Sequence, residues 1–450
     1  MSDVTLVNGI FPSSTPVPPL GLLYLTSSLK AFGYSVDLKD YQLADYTDPK
    51  APHNFVNFLR DSADIIGIST MSFSLPFIIL SLKEFKEKYP DKIVVLGGIG
   101  ASGVAEPILR HFPFVDYVIR GEGEHAFVQF MDMVEGKKSV ETVEGLSYRK
   151  NNNCVHNPQC RIQNLDELLL PAYETVDLKR YVAVDVLTSR GCPYHCSFCD
   201  VAPYWGWKNY KRNIEKVVEE IKLLSDQNHV RNIAIIDDTF ILDKKRVINF
   251  CNLLRKENIA VRWGCYGRVD LMDVELMETM SRIGCVKIYY GIESGSDTIL
   301  SVIEKKLTTK KNIDVVLRST NYFECVQTSY VWGFPFETME DFYDTVFQML
   351  YFAKKGVSIK GNIVTPFPFS SLYKQYKHTL KFSEYLCPQV LMSGYMGNDD
   401  ILKIIKKYPD VFPAFYYYDC ANVHEKYKIM KSLKLAPEDI FDIWETDELH

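Results

Sequence analysis

Three cysteines within eight residues, Cys192, Cys196 and Cys199, are the residues of this sequence whose type and spacing point most directly to chemistry. They form the pattern C-x3-C-x2-C in the segment SRGCPYHCSFCD, and the remaining cysteines of the chain are scattered. Soft thiolate ligands this close together are typical of zinc and iron–sulfur centres. Three interpretations are open at this point: free thiols in a loop, a zinc site or an iron–sulfur cluster.

The number of cysteines favours the cluster over zinc. A structural zinc ion takes four ligands; His195 as the fourth would lie between two of the cysteines, and no second C-x2-C pair occurs in the sequence. A cubane iron–sulfur cluster held by three thiolates leaves one iron open. Such an iron can chelate a small molecule through an amine and a carboxylate.

Composition limits the class of protein. The 450 residues carry a net charge of −6, which argues against a surface built to neutralise phosphates, so no nucleic-acid partner is expected. No apolar run reaches the length of a membrane span, and the N-terminus shows no export signal. The odd count of 11 cysteines does not resemble a disulfide framework, so we expect a reducing, cytoplasmic location.

The first part of the chain predicts an α/β domain. Residues 1–150 alternate short apolar strands with helices, as parallel βαβ units do. We therefore expect a doubly wound, Rossmann-like parallel sheet with a ligand crevice at the carboxyl ends of its strands. Residues 151–180 lack sustained periodicity and are interpreted as a linker.

A second β/α series begins at residue 181. Its predicted strands are 181–189, 232–240, 260–267, 285–294, 326–334 and 359–367. Six βα units over residues 181–380 predict a partial (β/α)6 barrel whose working face is the carboxyl end of the strands, and the three cysteines follow its first strand. Residues 381–450 are expected to be a small, mostly helical region, with Cys387 and Cys420 as buried free thiols.

With this context, the cysteine motif resembles the radical S-adenosylmethionine (radical SAM) superfamily, whose pattern Phe198 also fits. The segments IIDDTF, GCYGRVDL, GIESGS and GFPFETMEDF are similar to barrel segments of one large subgroup, and PPLGLLYL, VVLGGIGAS and VIRGEGE to its N-terminal cobalamin (B12)-binding-type domain. The resemblance implies a 4Fe–4S cluster on Cys192, Cys196 and Cys199. Its open iron would bind S-adenosylmethionine (SAM), which is cleaved reductively to a 5′-deoxyadenosyl radical.

The resemblance also suggests which residues contact SAM. The candidates, each at or after a strand end, are Phe198, Asp237, Asp238, Arg268, Glu293 and Ser294. Structural alternatives stand beside them: a helix N-cap for the aspartates, a salt bridge to Asp270 or Glu275 for Arg268, and a capped turn for Glu293 and Ser294. Glu337 is interpreted as structural.

Cobalamin binding is implied by the N-terminal resemblance. Its candidate residues are Gln42, Ser69, Thr70, Ser72, Gly97, Gly98, Gly121, Glu122 and Gly123. For the glycines the alternative is simple turn formation. Gln42 stands where many cobalamin proteins carry the histidine that ligates cobalt, so we expect no histidine ligand from this loop.

The expected function is that of a metal-binding radical SAM enzyme, a transferase that carries out cobalamin-dependent methyl transfer to an unactivated carbon of a small metabolite, lipid or peptide. A cobalamin-free rearrangement, epimerisation or cross-linking reaction is the alternative within the enzyme class. A zinc-stabilised interaction protein is the alternative outside it. An electron donor such as flavodoxin or ferredoxin is the expected protein partner.

Overall fold

The computed structural model describes residues 2–10, 15–151, 153–387, 389 and 393–433. The backbone forms two compact units. The first contains the described residues within 1–163, 167–180 and 389–415, and the second those within 164–166, 181–388 and 416–450. In the described part of the chain, no helix is long and apolar enough to cross a membrane.

The first unit is built on a seven-stranded sheet in the order β2-β1-β3-β4-β5-β6-β7. The strands are β1 Val4–Asn8, β2 Val36–Asp40, β3 Ile65–Ser69, β4 Ile93–Gly97, β5 Tyr117–Ile119, β6 Leu146–Lys150 and β7 Asn153–His156. The helices are α1 Leu20–Ala31, α2 Pro52–Leu59, α3 Leu75–Lys88, α4 Ile99–Ser102, α5 Ala105–His111 and α6 Gly123–Val134.

The five N-terminal strands are parallel, as predicted, because each apolar strand is followed by a helix that returns the chain. All five residues of β1 are buried, and Leu6 shares a core cluster with Leu29 of α1 and Phe130 of α6. The order β2-β1-β3 reverses the winding direction at β1. A crevice at the carboxyl ends of β1 and β3 is where such sheets bind ligands.

The end of this sheet differs from the sequence prediction. Strands β6 and β7 form an antiparallel hairpin on β5, so residues predicted as the start of a linker belong to the sheet. The rest of the 151–180 segment contains three short 3-10 turns, Leu165–Glu167, Tyr173–Thr175 and Leu178–Arg180. The hairpin has no apolar alternation strong enough to identify it, since β7 has no buried residue.

The second unit contains the predicted partial barrel. Its six parallel strands run in sequential order, β8 Val184–Val186, β11 Asn232–Ile235, β12 Arg262–Gly267, β13 Cys285–Glu293, β14 Cys325–Trp332 and β15 Ser358–Ile363. Two short strands, β9 Ser189–Arg190 and β10 Tyr210–Lys211, pair antiparallel beside it. The helices are α7 Val201–Tyr204, α8 Ile214–Gln227, α9 Lys244–Lys256, α10 Val274–Ser281, α11 Asp297–Val302, α12 Thr309–Ser319, α13 Met339–Lys354 and α14 Ser371–Tyr376.

Strand β11 ends at Ile235, earlier than predicted. The residues that follow, Asp237 and Asp238, turn the chain toward a 3-10 helix at Phe240–Leu242. Helix starts are fixed by side-chain caps, for example by Asn213 at α8 and by the reciprocal Thr338–Asp341 capping box at α13. The six parallel strands in sequential order confirm the partial barrel predicted from the sequence.

The C-terminal region is shared by the two units. Helix α15 Asp399–Lys407 belongs to the first unit, and the preceding Tyr395 donates a hydrogen bond to the backbone oxygen of Phe73 at 2.9 Å. Strands β16 Leu380–Lys381 and β17 Tyr417–Tyr418 and helix α16 Val423–Ser432 belong to the second unit. Cys387 is buried as expected, Cys420 is partly exposed, and the predicted continuation over 434–450 lies outside the described residues.

Candidate functional site

The three cysteines lie on a loop that follows β9 and is held at its centre. The backbone nitrogen of Ser197 donates to the oxygen of Ile303 at 3.0 Å, and the oxygen of Ser197 accepts from the nitrogen of Leu372 at 2.9 Å. Gly191 enters the loop with φ of +87°, and a Cβ there would collide with the backbone oxygen of Lys208. The loop is therefore anchored by segments far away in sequence.

All three cysteine residues are partly buried. Burial raises the pKa of Cys192, whose Sγ lies 3.7 Å from the hydroxyl of Thr239, and raises the pKa of Cys199 to about 12. Both thiols are therefore protonated in the metal-free protein, and binding of a metal centre would release their protons.

The described residues do not form a preformed site for a single metal ion. Within the described residues, no group of three His, Cys, Asp or Glu side chains is close enough to hold one metal ion. In a cubane each thiolate binds a different iron, so the cysteines stand further apart than the ligands of one zinc ion. The ring of His195 stacks on Trp207 at a centroid distance of 5.6 Å, which gives the predicted zinc alternative no support.

Arg268 contacts the cysteine loop itself. Its guanidinium lies 3.7 Å from the ring centroid of Tyr194, between Cys192 and Cys196 in the sequence. Its Nε donates to Asp270 at 3.0 Å, the salt bridge that the sequence offered as the alternative to SAM binding, and a terminal nitrogen donates to the oxygen of Lys305 at 2.8 Å. A contact with a SAM carboxylate stays a prediction, and Arg268 fixes the loop in either case.

The two aspartates after β11 hold the start of this loop. Asp237 is buried and accepts three hydrogen bonds of 2.6 Å, from the nitrogen and hydroxyl of Thr188 and the hydroxyl of Ser189. Asp238 accepts from the nitrogen of Gly191 at 2.9 Å, and part of the residue is open to solvent. Desolvation raises the pKa of Asp238 to about 6, and the second oxygen of this carboxylate is the one available to a ligand.

Glu293 ends β13 in a strained conformation. Its φ is +72°, unusual for a residue with a Cβ, and its buried carboxylate accepts from Nζ of Lys305 at 2.8 Å. The hydroxyl of Ser294 is buried against Thr345 at 3.0 Å and accepts from the nitrogen of Ser296, as the capped-turn alternative requires. Ribose binding by either residue stays a prediction.

Phe198 packs edge-on against Phe334, the residue after the glycine that follows β14, with ring centroids 6.0 Å apart. Sequence reasoning identified neither Phe334 nor Lys305 as a partner of the site. The signal for Tyr194 was present, because it lies inside the C-x3-C segment. Nothing in the sequence linked Lys305 to Glu293, since that ion pair depends on the path of the chain after α11.

The predicted cobalamin residues meet at the carboxyl ends of β3, β4 and β5. The nitrogen and hydroxyl of Thr70 donate to the oxygen of Gly97 at 2.9 and 2.8 Å. Gly98 has φ of +83°, and a Cβ there would collide with the backbone of Thr70 beside Ser69. Gly121 donates to the hydroxyl of Ser102 at 3.4 Å. The tight turns therefore leave backbone atoms accessible at the carboxyl ends of these strands.

The other candidates of this group have internal roles. The backbone atoms of Met71 and Ser72 lie so close to Gly100 that only glycine fits at that position. Gly123 begins α6. Glu122 accepts from the nitrogen of Ile162 at 2.9 Å. The buried amide of Gln42 donates to the oxygen of Val17 at 3.0 Å and lies 3.4 Å from both oxygens of Asp40. Contact of these residues with cobalamin stays a prediction.

Comparison with known proteins identifies two families. Residues 186–349 match the radical SAM superfamily, and residues 11–131 match the B12 binding domain. An uncharacterized methyltransferase of Pyrococcus horikoshii is 31% identical over 408 residues, which cover 87% of each chain. The anaerobic magnesium-protoporphyrin IX monomethyl ester cyclase of Cereibacter sphaeroides is 28% identical over 82% of this chain and 62% of its own.

Solved structures share the fold over nearly the whole chain. The radical SAM methyltransferase TsrM of Kitasatospora setae has a TM-score of 0.73 at 18% identity, covering 98% of this chain and 90% of its own. The cobalamin-dependent radical SAM enzyme OxsB has a TM-score of 0.68 at 16% identity, covering 96% and 66%.

The two families together imply a 4Fe–4S cluster, SAM and cobalamin as the cofactors of this chain. The thiol loop fits the first of them, and the barrel strand ends and the sheet edge of the first unit offer polar groups and open turns for the others. The chain belongs to the radical SAM superfamily and carries a B12 binding domain ahead of its radical SAM domain.

Proposed function

We propose that this protein transfers a methyl group from SAM to an unactivated carbon of a small molecule, lipid or peptide, with cobalamin as the carrier. The observation that carries the proposal is the presence, in one chain, of the anchored three-cysteine loop and the B12 binding domain. The Pyrococcus horikoshii relative, which matches both parts of the chain, is named as a methyltransferase, and this supports the same reaction class.

In the second unit, some residues would hold the cluster and its loop, and others would orient SAM. Cys192, Cys196 and Cys199 would hold the cluster and leave one iron for the amine and carboxylate of SAM. Arg268 would keep the loop rigid through Tyr194. Asp238 would face the ammonium of SAM with its free oxygen, and Glu293 would orient the ribose. These assignments extend the contacts described above to the bound cofactor.

In the first unit, the turns at Thr70, Gly98 and Gly121 would take the corrin ring, and the two glycines would let it approach the backbone closely. Gln42 would leave the cobalt without a ligand from its loop, because its amide is bound to Val17 and Asp40. When bound, the three cofactors together supply a radical that removes hydrogen from carbon and a methyl group that replaces it. A flavodoxin or ferredoxin would supply the electron.

The test uses SAM that carries a CD3 methyl group. Protein reconstituted under argon with iron, sulfide and hydroxocobalamin is desalted, reduced and incubated with the labelled SAM and a low-molecular-weight cell extract. Expected are retained corrinoid, label in the corrinoid fraction, a product heavier by CD3, and S-adenosylhomocysteine and 5′-deoxyadenosine in about equal amounts, since SAM is used twice. The variant with all three cysteines replaced by Ala is the control and should form no 5′-deoxyadenosine.

The second candidate function is a cobalamin-free radical rearrangement, epimerisation or cross-linking reaction. It is favoured by the cyclase relative, which matches 82% of this chain and is not named as a methyltransferase. Protein that retains no corrinoid, or that forms 5′-deoxyadenosine while no product acquires the label, would replace methyl transfer by this candidate.

A further inference from the structure

The inner face of the barrel sheet is polar. Three strand side chains point outward and contact the surrounding helices. Trp263 packs on Phe250 of α9 with ring centroids 5.4 Å apart. The hydroxyls of Tyr290 and Tyr330 form hydrogen bonds of 3.0 Å with Ser319 of α12 and Gln348 of α13, respectively. Because neighbouring residues of a strand point to opposite faces, the residues between them point inward. The inward set includes Asp185, Tyr266, Lys287, Tyr289, Gln327 and Ser329.

A packed β/α barrel is filled by bulky branched apolar side chains. Here Ala183 and Val286, near the amino ends of β8 and β13, form a small apolar cluster that makes up the floor of the barrel. Asp185 is two residues further along β8, so it is the first inward-facing polar group above this floor. Its neighbours in register are Ala234 on β11 and then Gly264 on β12, whose small size leaves space beside the carboxyl group.

Among the described residues, the carboxyl group of Asp185 has no partner in this space. The residue is 8% exposed, and its Oδ1 receives no hydrogen bond from this part of the structure. Lys287 on β13 lies at the same level of the sheet, separated from Asp185 by Ala234 on β11 and Gly264 on β12. Tyr266, the other inward titratable group nearby, bears no charge at neutral pH. A buried carboxylate without a counter-charge is costly.

The surroundings suit a cation. The rings of Tyr266 and Tyr289 lie side by side on β12 and β13 with centroids 5.2 Å apart, and neither residue is fully buried. The charge of Asp185 acts on Tyr266, and so does that of Asp238 at the carboxyl end of β11. Aromatic faces beside a carboxylate are the groups that recognise an ammonium ion in proteins.

We propose that the barrel interior binds a protonated amine of the substrate, with Asp185 as its counter-ion and Tyr266 and Tyr289 as aromatic walls. This inference rests on the proposed function, because it concerns the molecule that the radical reaction modifies. Asp185 precedes Ser189, where the cysteine loop begins, by four residues, or on the order of 10 Å along the strand direction. The substrate is accordingly an elongated amine whose reacting carbon is several bonds from its nitrogen.

The probe is n-butylammonium, compared with 1-butanol as an uncharged molecule of equal length. Binding to the full-length reconstituted protein is measured at pH 8 by ligand-observed saturation-transfer NMR. We expect butylammonium to bind at least tenfold more weakly to Asp185→Asn than to the wild type, and 1-butanol to bind weakly to both. The matched control is Asp226→Asn on the exposed face of α8, which should bind as the wild type does.

Several results would overturn the assignment: no binding of butylammonium to the wild type, equal binding to Asp185→Asn, or equal binding of 1-butanol and butylammonium. Loss of the fold should not obscure the comparison, because removing an unpaired buried charge relieves a cost. A clear fall in melting temperature of Asp185→Asn relative to Asp226→Asn would show that Asp185 has a structural partner and would also contradict the proposal. Asp185→Glu, which keeps the charge, should recover at least part of the binding.

The labelled-SAM and butylammonium experiments test methyl transfer and the amine site separately. The labelled-SAM experiment reports corrinoid retention and methyl transfer without reference to Asp185. If label is transferred and butylammonium does not bind, the amine site alone is wrong. If butylammonium binds through Asp185 and no label is transferred, the recognition site stands and methylation is wrong.

Discussion

Nζ of Lys426 donates hydrogen bonds to both the backbone oxygen and the side-chain Oε2 of Glu337, at 2.8 and 2.9 Å, and neither side chain is exposed. The same Oε2 accepts from the nitrogen of Gly333 at 2.9 Å. The pair thus joins helix α16 to the loop that follows β14. Glu337 is structural, as its sequence context suggested.

Replacing Lys426 by Met should destabilise the second unit strongly. The substitution leaves the Glu337 carboxylate buried without its cation, and breaking such a pair from one side costs about 3–5 kcal/mol. Thermal unfolding followed by circular dichroism measures the change. Lys428→Met, at an exposed position of the same helix, is the control and should melt within a degree or two of the wild type. Equal melting of the two variants would mean that α16 adds nothing to the stability of the barrel.

Each single substitution of Cys192, Cys196 or Cys199 by Ala should prevent assembly of the cluster. The three lie on one anchored loop, and a cubane that has lost one of three thiolates is poorly held. Iron and sulfide analysis after anaerobic reconstitution should give about four of each per chain in the wild type and a small fraction in the variants. Cys160→Ala, an exposed cysteine outside the loop, should keep the full content. A variant of the triplet with wild-type iron content would remove that cysteine from the assignment.

Arg268→Lys separates two roles of this residue. The guanidinium stacks on Tyr194 and binds Asp270 and the oxygen of Lys305, and an ammonium cannot reproduce the planar contacts. If Arg268 holds the loop, the cluster of the variant should bleach several-fold faster in air than that of the wild type. Arg262→Lys on β12, the strand just before Arg268, is the control, because Arg262 pairs with the exposed Glu324. A normal bleaching rate with weakened SAM binding would instead assign Arg268 to SAM alone.

The barrel and the cysteine loop were predictable because their signals are local. Strand periodicity fixes the order of the parallel strands, and the C-x3-C-x2-C spacing needs no knowledge of the rest of the chain. Strand β7 was missed because an exposed antiparallel edge carries little apolar alternation. Partners distant in sequence, such as Lys426 and Glu337, are decided by the path of the chain after it folds.

Asp185 illustrates the same limit inside a correctly predicted strand. Between Val184 and Val186 it is indistinguishable from an ordinary half-exposed strand position. Its role depends on Ala234 and Gly264, which become its neighbours only when the sheet forms. A buried carboxyl group without a partner is therefore visible in the structure and not in the pattern.

The unpaired Asp185 also predicts how stability depends on pH. Burial raises its pKa to about 7 in the folded chain, whereas an unfolded chain has the ordinary value near 3.8. Between these values only the folded state holds the proton, so its contribution to stability is complete below pH 4 and is lost as the pH rises through 7. The slope is about −1.4 kcal/mol per pH unit in this window.

Asp185→Asn removes this dependence because an amide does not ionise. The free energy of unfolding of the variant minus that of the wild type should therefore increase by about 2–3 kcal/mol between pH 5 and pH 8. Urea unfolding at several pH values measures it. Other groups that titrate in this range, Asp238 with its raised pKa among them, are present in both proteins and cancel in the difference. The exposed Asp226→Asn should show no such increase. A difference that is constant with pH would mean that Asp185 ionises normally and is compensated by a group or a bound water beside it.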